Sequence, residues 1–227
     1  MIRVKICGIT NVEDARTAVE AGVDALGFIF VEGTPRFIEP AAAAAIIAWL
    51  PPFVTPVGVF WDHAAGHVKA VAEQCRLGAL QFHGLEPAEA LADHRLPVIK
   101  TIKLPPATTI EGMTELRASE GFQVLQYAKV AAAVLLDTAE RWSEGLVREP
   151  IEWRHAARIV ASYRHWPRPK MILSGGLTPE NVGRAITVVK PYAVDVDSGV
   201  EALPGRKDPD KVRRFVAAAR SATPGGA

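Results

Sequence analysis

Cysteine is scarce in this chain: Cys7 and Cys75 are the only two among 227 residues. That is too few for a disulfide framework and fits a reducing compartment, so the cytoplasm is the expected location. Net charge is nearly absent too. Lys and Arg number 26 against 25 Asp and Glu, which leaves no global field to draw the chain to nucleic acid or to an anionic membrane. Long apolar runs are missing: the block from Ala41 to Leu50 stops at ten residues between Pro40 and Pro51 and reads as a buried helix, not a bilayer span. The start, Met1-Ile2-Arg3-Val4-Lys5, has no signal-peptide h-region and leads directly into a strand. Three chemical signatures are also absent. No His, Cys or acidic spacing resembles a zinc or calcium site, Gly-x-Ser-x-Gly does not occur, and no Gly-x-Gly-x-x-Gly follows the first strand. A small molecule is therefore the expected partner, and no metal is implied.

What is present is a regular alternation. The 49 % hydrophobic and 22 % charged content is that of a globular chain able to bury a large core. Short β-branched runs at Arg3–Cys7, Ala25–Phe30, Thr55–Phe60, Ala79–His83, Pro97–Ile102, Ala133–Asp137, Lys170–Ser174 and Ala193–Val196 predict eight strands. Helical patterns at Val12–Ala21, Ala41–Leu50, Ala64–Cys75, Glu86–His94, Ile110–Arg117, Glu152–Tyr163 and Pro179–Val188 lie between them, and Asp208–Arg220 follows. Thr10 with Glu13 suggests a capping box, and Thr178-Pro179 and Asp208-Pro209 each place a capping oxygen before a proline. Gly22 and Gly78 suit left-handed helix ends. Eight such units could form a closed barrel or an open doubly wound sheet. Polar residues inside otherwise apolar strands, namely Lys5, Gln81, His83, Asp195 and Asp197, favour the barrel, whose strand ends line a mouth. The expectation is one (β/α)8 barrel over residues 1–227, with the last few residues disordered and a charge-rich loop from Thr138 to Pro150 as a lid.

Cys7 ends the first strand in Lys5-Ile6-Cys7-Gly8-Ile9-Thr10, where a thiol faces a ligand more readily than in a packed helix. It is a candidate base or nucleophile, with simple packing as the alternative. Lys5, two residues back on the same face, could favour its thiolate or be held by Asp195 once the barrel closes. Cys75, among Val68, Val71 and Ala72 at helical spacing, reads as core. Asp137 ends the run Val134-Leu135-Leu136 and is a candidate general acid, or else caps the next turn. Ser174-Gly175-Gly176-Leu177 closes strand seven and Asp197-Ser198-Gly199-Val200-Glu201 closes strand eight. Two glycine turns at these places make a phosphate cradle around Gly175, Gly176, Ser198 and Gly199. Arg36, in Gly33-Thr34-Pro35-Arg36-Phe37, offers a planar fork for a carboxylate or phosphate, or is simply solvated. Gln81 and His83 share one face at the end of strand four and serve either substrate or internal hydrogen bonds.

These residues in this order resemble the phosphoribosylanthranilate isomerase family of the tryptophan pathway. The likeness is carried by Lys5-Ile6-Cys7-Gly8-Ile9-Thr10, Thr34-Pro35-Arg36, Gln81-Phe82-His83-Gly84, Leu136-Asp137, Leu173-Ser174-Gly175-Gly176-Leu177-Thr178-Pro179-Glu180-Asn181-Val182, and Asp195 with Ser198-Gly199-Val200-Glu201. It implies a (β/α)8 barrel, no cofactor, and an Amadori rearrangement of N-(5-phosphoribosyl)anthranilate. Asp137 would be the general acid at the ribose ring oxygen, and Cys7 the base that takes the C2′ proton. Arg36 would contact the anthranilate part, Gln81 and His83 would belong to the substrate site, and the two turns would hold the phosphate. A related barrel acting on another sugar phosphate and a non-catalytic binding homologue are the alternatives, and the chain is expected to be a monomer or a homodimer. Two departures stand out. Many members have Gly-Gly-Thr-Gly after the strand-six acid, where this chain has Glu144-Gly145-Leu146-Val147-Arg148-Glu149, and Asp197 replaces the family's common small hydroxyl residue. A carboxylate beside a phosphate costs energy unless it points away or is paired.

Overall fold

A computed structural model of the chain describes residues 1–105, 123–138 and 149–222. Eight parallel strands close into a barrel: β1 (Arg3–Ile6), β2 (Ala25–Ile29), β3 (Thr55–Phe60), β4 (Ala79–Phe82), β5 (Val98–Leu104), β6 (Ala133–Thr138), β7 (Lys170–Leu173) and β8 (Ala193–Val196), each paired with its neighbours in sequence. Closure comes from β1 lying between β2 and β8, with Lys5 in register with Ala25 on one side and Asp195 on the other. The helices are α1 (Val12–Glu20), α2 (Pro40–Ile47), α3 (Ala65–Cys75), α4 (Ala88–Leu91), α5 (residues 123–127), α6 (Trp153–Tyr163), α7 (Val182–Val189) and α8 (Pro209–Ser221). After β8 a 3-10 turn, Ser198–Val200, leads into a two-stranded antiparallel ribbon, β9 (Glu201–Leu203) and β10 (Arg206–Lys207).

The period of two along each strand sorts side chains into two compartments. Outward residues pack under the helices. Phe30 stacks on Phe60 at 5.4 Å and Phe60 meets Phe82 at 6.2 Å, so three adjacent strands share one aromatic seam. The helices answer with stripes at helical spacing, as in α6, where His155, Ala156, Ile159, Val160 and Tyr163 are buried. Inward residues fill the barrel. Val57, Ala79, Ile99, Ala133, Leu135, Ile172 and Ala193 form a dry plug of apolar side chains, which leaves the polar inward residues for the end where the strands finish.

Several local expectations change in the structure. Asn11, not Thr10, caps α1: its side chain accepts the Asp14 N–H at 2.9 Å, while the Thr10 hydroxyl donates to the Gly205 carbonyl at 2.6 Å. Asp208 caps α8 as expected, accepting from the Asp210 and Lys211 amides. Thr178 opens a turn, and α7 begins after Asn181. Gly22 is left-handed at φ 88°, but α3 ends on Arg76 at φ 51° and Gly78 is not left-handed. The expected helix at Glu86–His94 shrinks to α4, and its first expected residue, Glu86, instead turns inward to pair with Lys100 at 2.7 Å. The expected helix at Ile110–Arg117, most of the candidate lid and the chain's last five residues lie outside the described residues. No helix among the described residues is long and apolar enough to cross a membrane.

Candidate active site

The cavity at the C-terminal end of the barrel is entered from the strand ends, and Cys7 is set on its wall immediately beyond β1. Its amide donates to the Val196 carbonyl at 2.8 Å, which continues the β1–β8 ladder and aims the side chain inward. Gly27 on β2 makes the room: a Cβ there would come within 2.6 Å of the Cys7 sulfur and 3.0 Å of Lys5 Nζ. Lys5 is bonded to Asp195 at 2.9 Å, with both side chains buried. The expected lowering of the thiol does not occur. Burial pushes the Cys7 thiol up to about 12, and the Asp195 and Asp197 carboxylates add to the rise against the opposing pull of Lys5. The same burial acts on Lys5, yet Asp195 and the sulfur hold its ammonium above the ordinary lysine range. Lys5→Met would strand Asp195 in the barrel without its counter-charge, a loss of about 3–5 kcal/mol for a broken buried pair. The expected result is a lower urea midpoint with an unchanged slope.

Asp137 rises from β6 at the same end. Its Oδ1 accepts the N–H of Thr138 at 2.8 Å, and Oδ2 lies 3.5 Å from Nε2 of His83. The His83 ring stacks on Trp61 at 5.3 Å, and the ammonium of Lys103 sits 3.9 Å over the Trp61 ring. This column ties the ends of β3, β4 and β5 together beside the carboxylate. Gln81 donates to the Thr101 hydroxyl at 3.3 Å, while its buried Oε1 has no hydrogen-bond partner among the described residues.

The two glycine turns pack directly on one another. A Cβ on Gly199 would fall 1.8 Å from the Leu177 carbonyl oxygen, so only glycine permits the turns to meet. Asn181 pins the first turn by donating to the Gly176 carbonyl at 2.8 Å and accepting the Thr178 N–H at 2.8 Å. Gly199→Ala must force the turns apart. If the two turns hold a phosphate, as their sequence leads one to expect, the effect is a KM for phosphorylated substrate raised by about tenfold or more, the scale of one or two hydrogen bonds to a charged group, with little change in kcat, as read from steady-state kinetics.

Arg36 is not solvated. It is 2 % exposed, and its Nε and terminal nitrogen grip Glu201 at 2.9 and 2.6 Å, with Asp197 3.0 Å from Nε. The guanidinium stays above its ordinary range despite burial because these carboxylates surround it. Asp197, the departure in the turn after β8, is paired twice, since Lys207 Nζ lies 2.9 Å from the same Oδ1. Partial desolvation pushes its carboxyl up, but the two cations outweigh it and hold the group below the usual range.

Cys7, Arg36, Gln81, His83, Asp137, Gly175, Gly176, Ser198 and Gly199, drawn from segments spread over nearly 200 residues, all line this one cavity. Cys75 does not: it is buried between α2 and α3, its thiol against the Pro40 carbonyl at 3.3 Å. Sequence reading did not single out Lys207, Trp61 or the Lys100–Glu86 pair. Lys207 had one visible signal, a lysine just before the Asp208-Pro209 cap; its side-chain partners Asp197 and Glu201 lie ten and six residues back, but only the turn of the β9–β10 ribbon brings them onto it.

A closed (β/α)8 barrel whose carboxyl, thiol and glycine turns gather at the C-terminal mouth has the layout of a barrel enzyme. A family model described as N-(5'phosphoribosyl)anthranilate (PRA) isomerase matches residues 4–218. The N-(5'-phosphoribosyl)anthranilate isomerase of Geobacter sp. (strain M21) is 45 % identical over 97 % of this chain and 98 % of its own. Among solved structures, phosphoribosyl anthranilate isomerase from Thermotoga maritima superposes with TM-score 0.83 at 40 % identity, covering 97 % of this chain and 99 % of that one. A phosphoribosyl anthranilate isomerase complexed with reduced 1-(o-carboxyphenylamino)-1-deoxyribulose 5-phosphate matches with TM-score 0.80 at 40 % identity over the same shares. This chain belongs to the N-(5'-phosphoribosyl)anthranilate isomerase family and is an isomerase.

Proposed function

We propose that this chain converts N-(5-phosphoribosyl)anthranilate to 1-(2-carboxyphenylamino)-1-deoxyribulose 5-phosphate with Asp137 as general acid and Cys7 as general base. The observation that carries the reading is the order of groups around the mouth: Asp137 on β6, the glycine turns after β7 and β8, then Cys7 after β1. A ribose 5-phosphate anchored on the two turns is thereby held between an acid and a base.

The chemistry follows from that placement. Asp137 gives its proton to the ribose ring oxygen as the bond from that oxygen to C1′ breaks, which leaves a protonated Schiff base to the anthranilate nitrogen. The cation acidifies the C2′ hydrogen, and the Cys7 thiolate removes it to give the enolamine, which tautomerises to the ketone. The thiolate is the minor form in the free enzyme, and the positive charge of the Schiff base is what favours it when it is needed. Arg36 faces the anthranilate carboxylate, His83 steadies Asp137, and the unpartnered Gln81 oxygen accepts from a ribose hydroxyl. The protein supplies all the groups of this mechanism. Support also comes from the relative whose complex holds a reduced, phosphorylated product analogue.

Turnover is read as loss of anthranilate fluorescence when the purified protein meets N-(5-phosphoribosyl)anthranilate. No turnover, together with failure to restore growth without tryptophan to a strain lacking the isomerase, would overturn the assignment of substrate.

A further inference from the structure

Lys207 is the least expected member of the site. It comes from the short β9–β10 ribbon, its side chain is completely buried, and it reaches three oxygens: Asp197 Oδ1 at 2.9 Å, Glu201 Oε1 at 2.9 Å and the Asp197 carbonyl at 3.1 Å. Its backbone is fixed from the other side, where its N–H donates to Asp14 Oδ2 on α1 at 2.8 Å. Arg36, arriving from the β2–α2 connection, shares the same two carboxylates. The cluster therefore holds two cations and two anions, and sums to zero.

That sum matters because of where the cluster lies. Asp197 immediately precedes Ser198 and Gly199, and it lines the cavity with them. A carboxylate there would repel a phosphate dianion, and Arg36 alone cannot cancel both Asp197 and Glu201. We propose that Lys207 is a positioning residue that neutralises the floor of the phosphate turn, allowing this chain to carry Asp197 beside a phosphate and keeping Arg36 aimed at the other end of the substrate. Arg36, spent on two carboxylates whose charge Lys207 balances, acts as a fixed hydrogen-bond donor without surplus positive charge. A doubly anionic substrate is thus discouraged from binding in reverse, with its phosphate on Arg36. The inference rests on the proposed phosphate position, and the experiment separates the two.

Steady-state kinetics with N-(5-phosphoribosyl)anthranilate test it in four variants. Lys207→Met leaves a net negative charge at the turn and is expected to raise KM about tenfold, with kcat within about threefold. Adding Asp197→Asn to it removes that charge and is expected to return KM to within about threefold of the parent protein. The double variant does not replace the hydrogen bond to the Asp197 carbonyl, so this recovery is not available to a lysine that merely props up the turn. Asp197→Asn alone, at a partly exposed position, is expected to lower KM, and it keeps the idea testable if Lys207→Met does not fold. Ser198→Glu checks the phosphate position itself and is expected to raise KM strongly. An unchanged KM in Lys207→Met, no recovery in the double variant, or an unchanged or raised KM in Asp197→Asn overturns the role of Lys207. An unchanged KM in Ser198→Glu overturns the phosphate position, and this inference with it.

Discussion

Cys7→Ala is expected to lower kcat by about 10³–10⁴-fold, the scale of a lost general base, while KM stays within about threefold. The thiol contacts the cavity without supplying a charged anchor for the substrate, so the loss falls on the chemical step. A serine at the same place should rescue little, because a hydroxyl is a far weaker acid than a thiol and yields less of its conjugate base. Two further readouts follow from the burial that drives the thiol up to about 12. Alkylation of Cys7 by iodoacetamide in the free enzyme should be slow at pH 8 and keep rising with pH toward that value. An unperturbed thiol would instead level off above its ordinary value of about 8.5. Mass spectrometry during turnover should find no covalent adduct on Cys7, since a base takes a proton and forms no bond to carbon. An adduct would transfer the residue to nucleophilic catalysis, and a Cys7→Ala enzyme with kcat near that of the parent would remove it from the mechanism.

Asp137→Asn is expected to cost about 10²–10⁴-fold in kcat, because an amide keeps the shape of the carboxyl but cannot donate the proton that opens the ring. The amide can still meet His83 and the Thr138 N–H, so the fold and KM should survive. The two defects are separable by isotope. Substrate deuterated at C2′ should show a primary isotope effect whenever proton removal by Cys7 limits the rate. That effect should fade in Asp137→Asn, where ring opening becomes the slow step. If the variant keeps both its rate and its isotope effect, the acid is another group.

The barrel was legible in the chain because its signals are local. Strand ends such as Thr55–Phe60 and Ala193–Val196 agree to the residue, since β-branched runs bounded by turn residues carry their own limits. Asp137 and the two glycine turns were visible for the same reason: a polar or glycine residue at the end of an apolar strand stands out. What failed depended on partners distant in sequence. Arg36 looks like a loop arginine until Glu201, 165 residues later, folds against it. Lys5 looks able to activate Cys7, and its sign of influence is right, but burial outweighs it and burial belongs to the closed barrel. Thr10 suits a capping box by spacing, yet its hydroxyl is taken by Gly205 and Asn11 does the capping.

The bond between Lys5 and Asp195 spans 190 residues, and that span dictates an order of events in time. Lys5 leaves the ribosome 190 residues ahead of Asp195, the carboxylate it is bonded to among the described residues. Until β8 docks against β1, a dry barrel interior would confine an unpaired ammonium, which is unfavourable enough to keep the first strands apart or wet. Closing the ring and neutralising its centre are thus one event. A nascent chain should stay an open, solvated sheet through most of synthesis, and should acquire protease resistance abruptly once residue 195 has emerged.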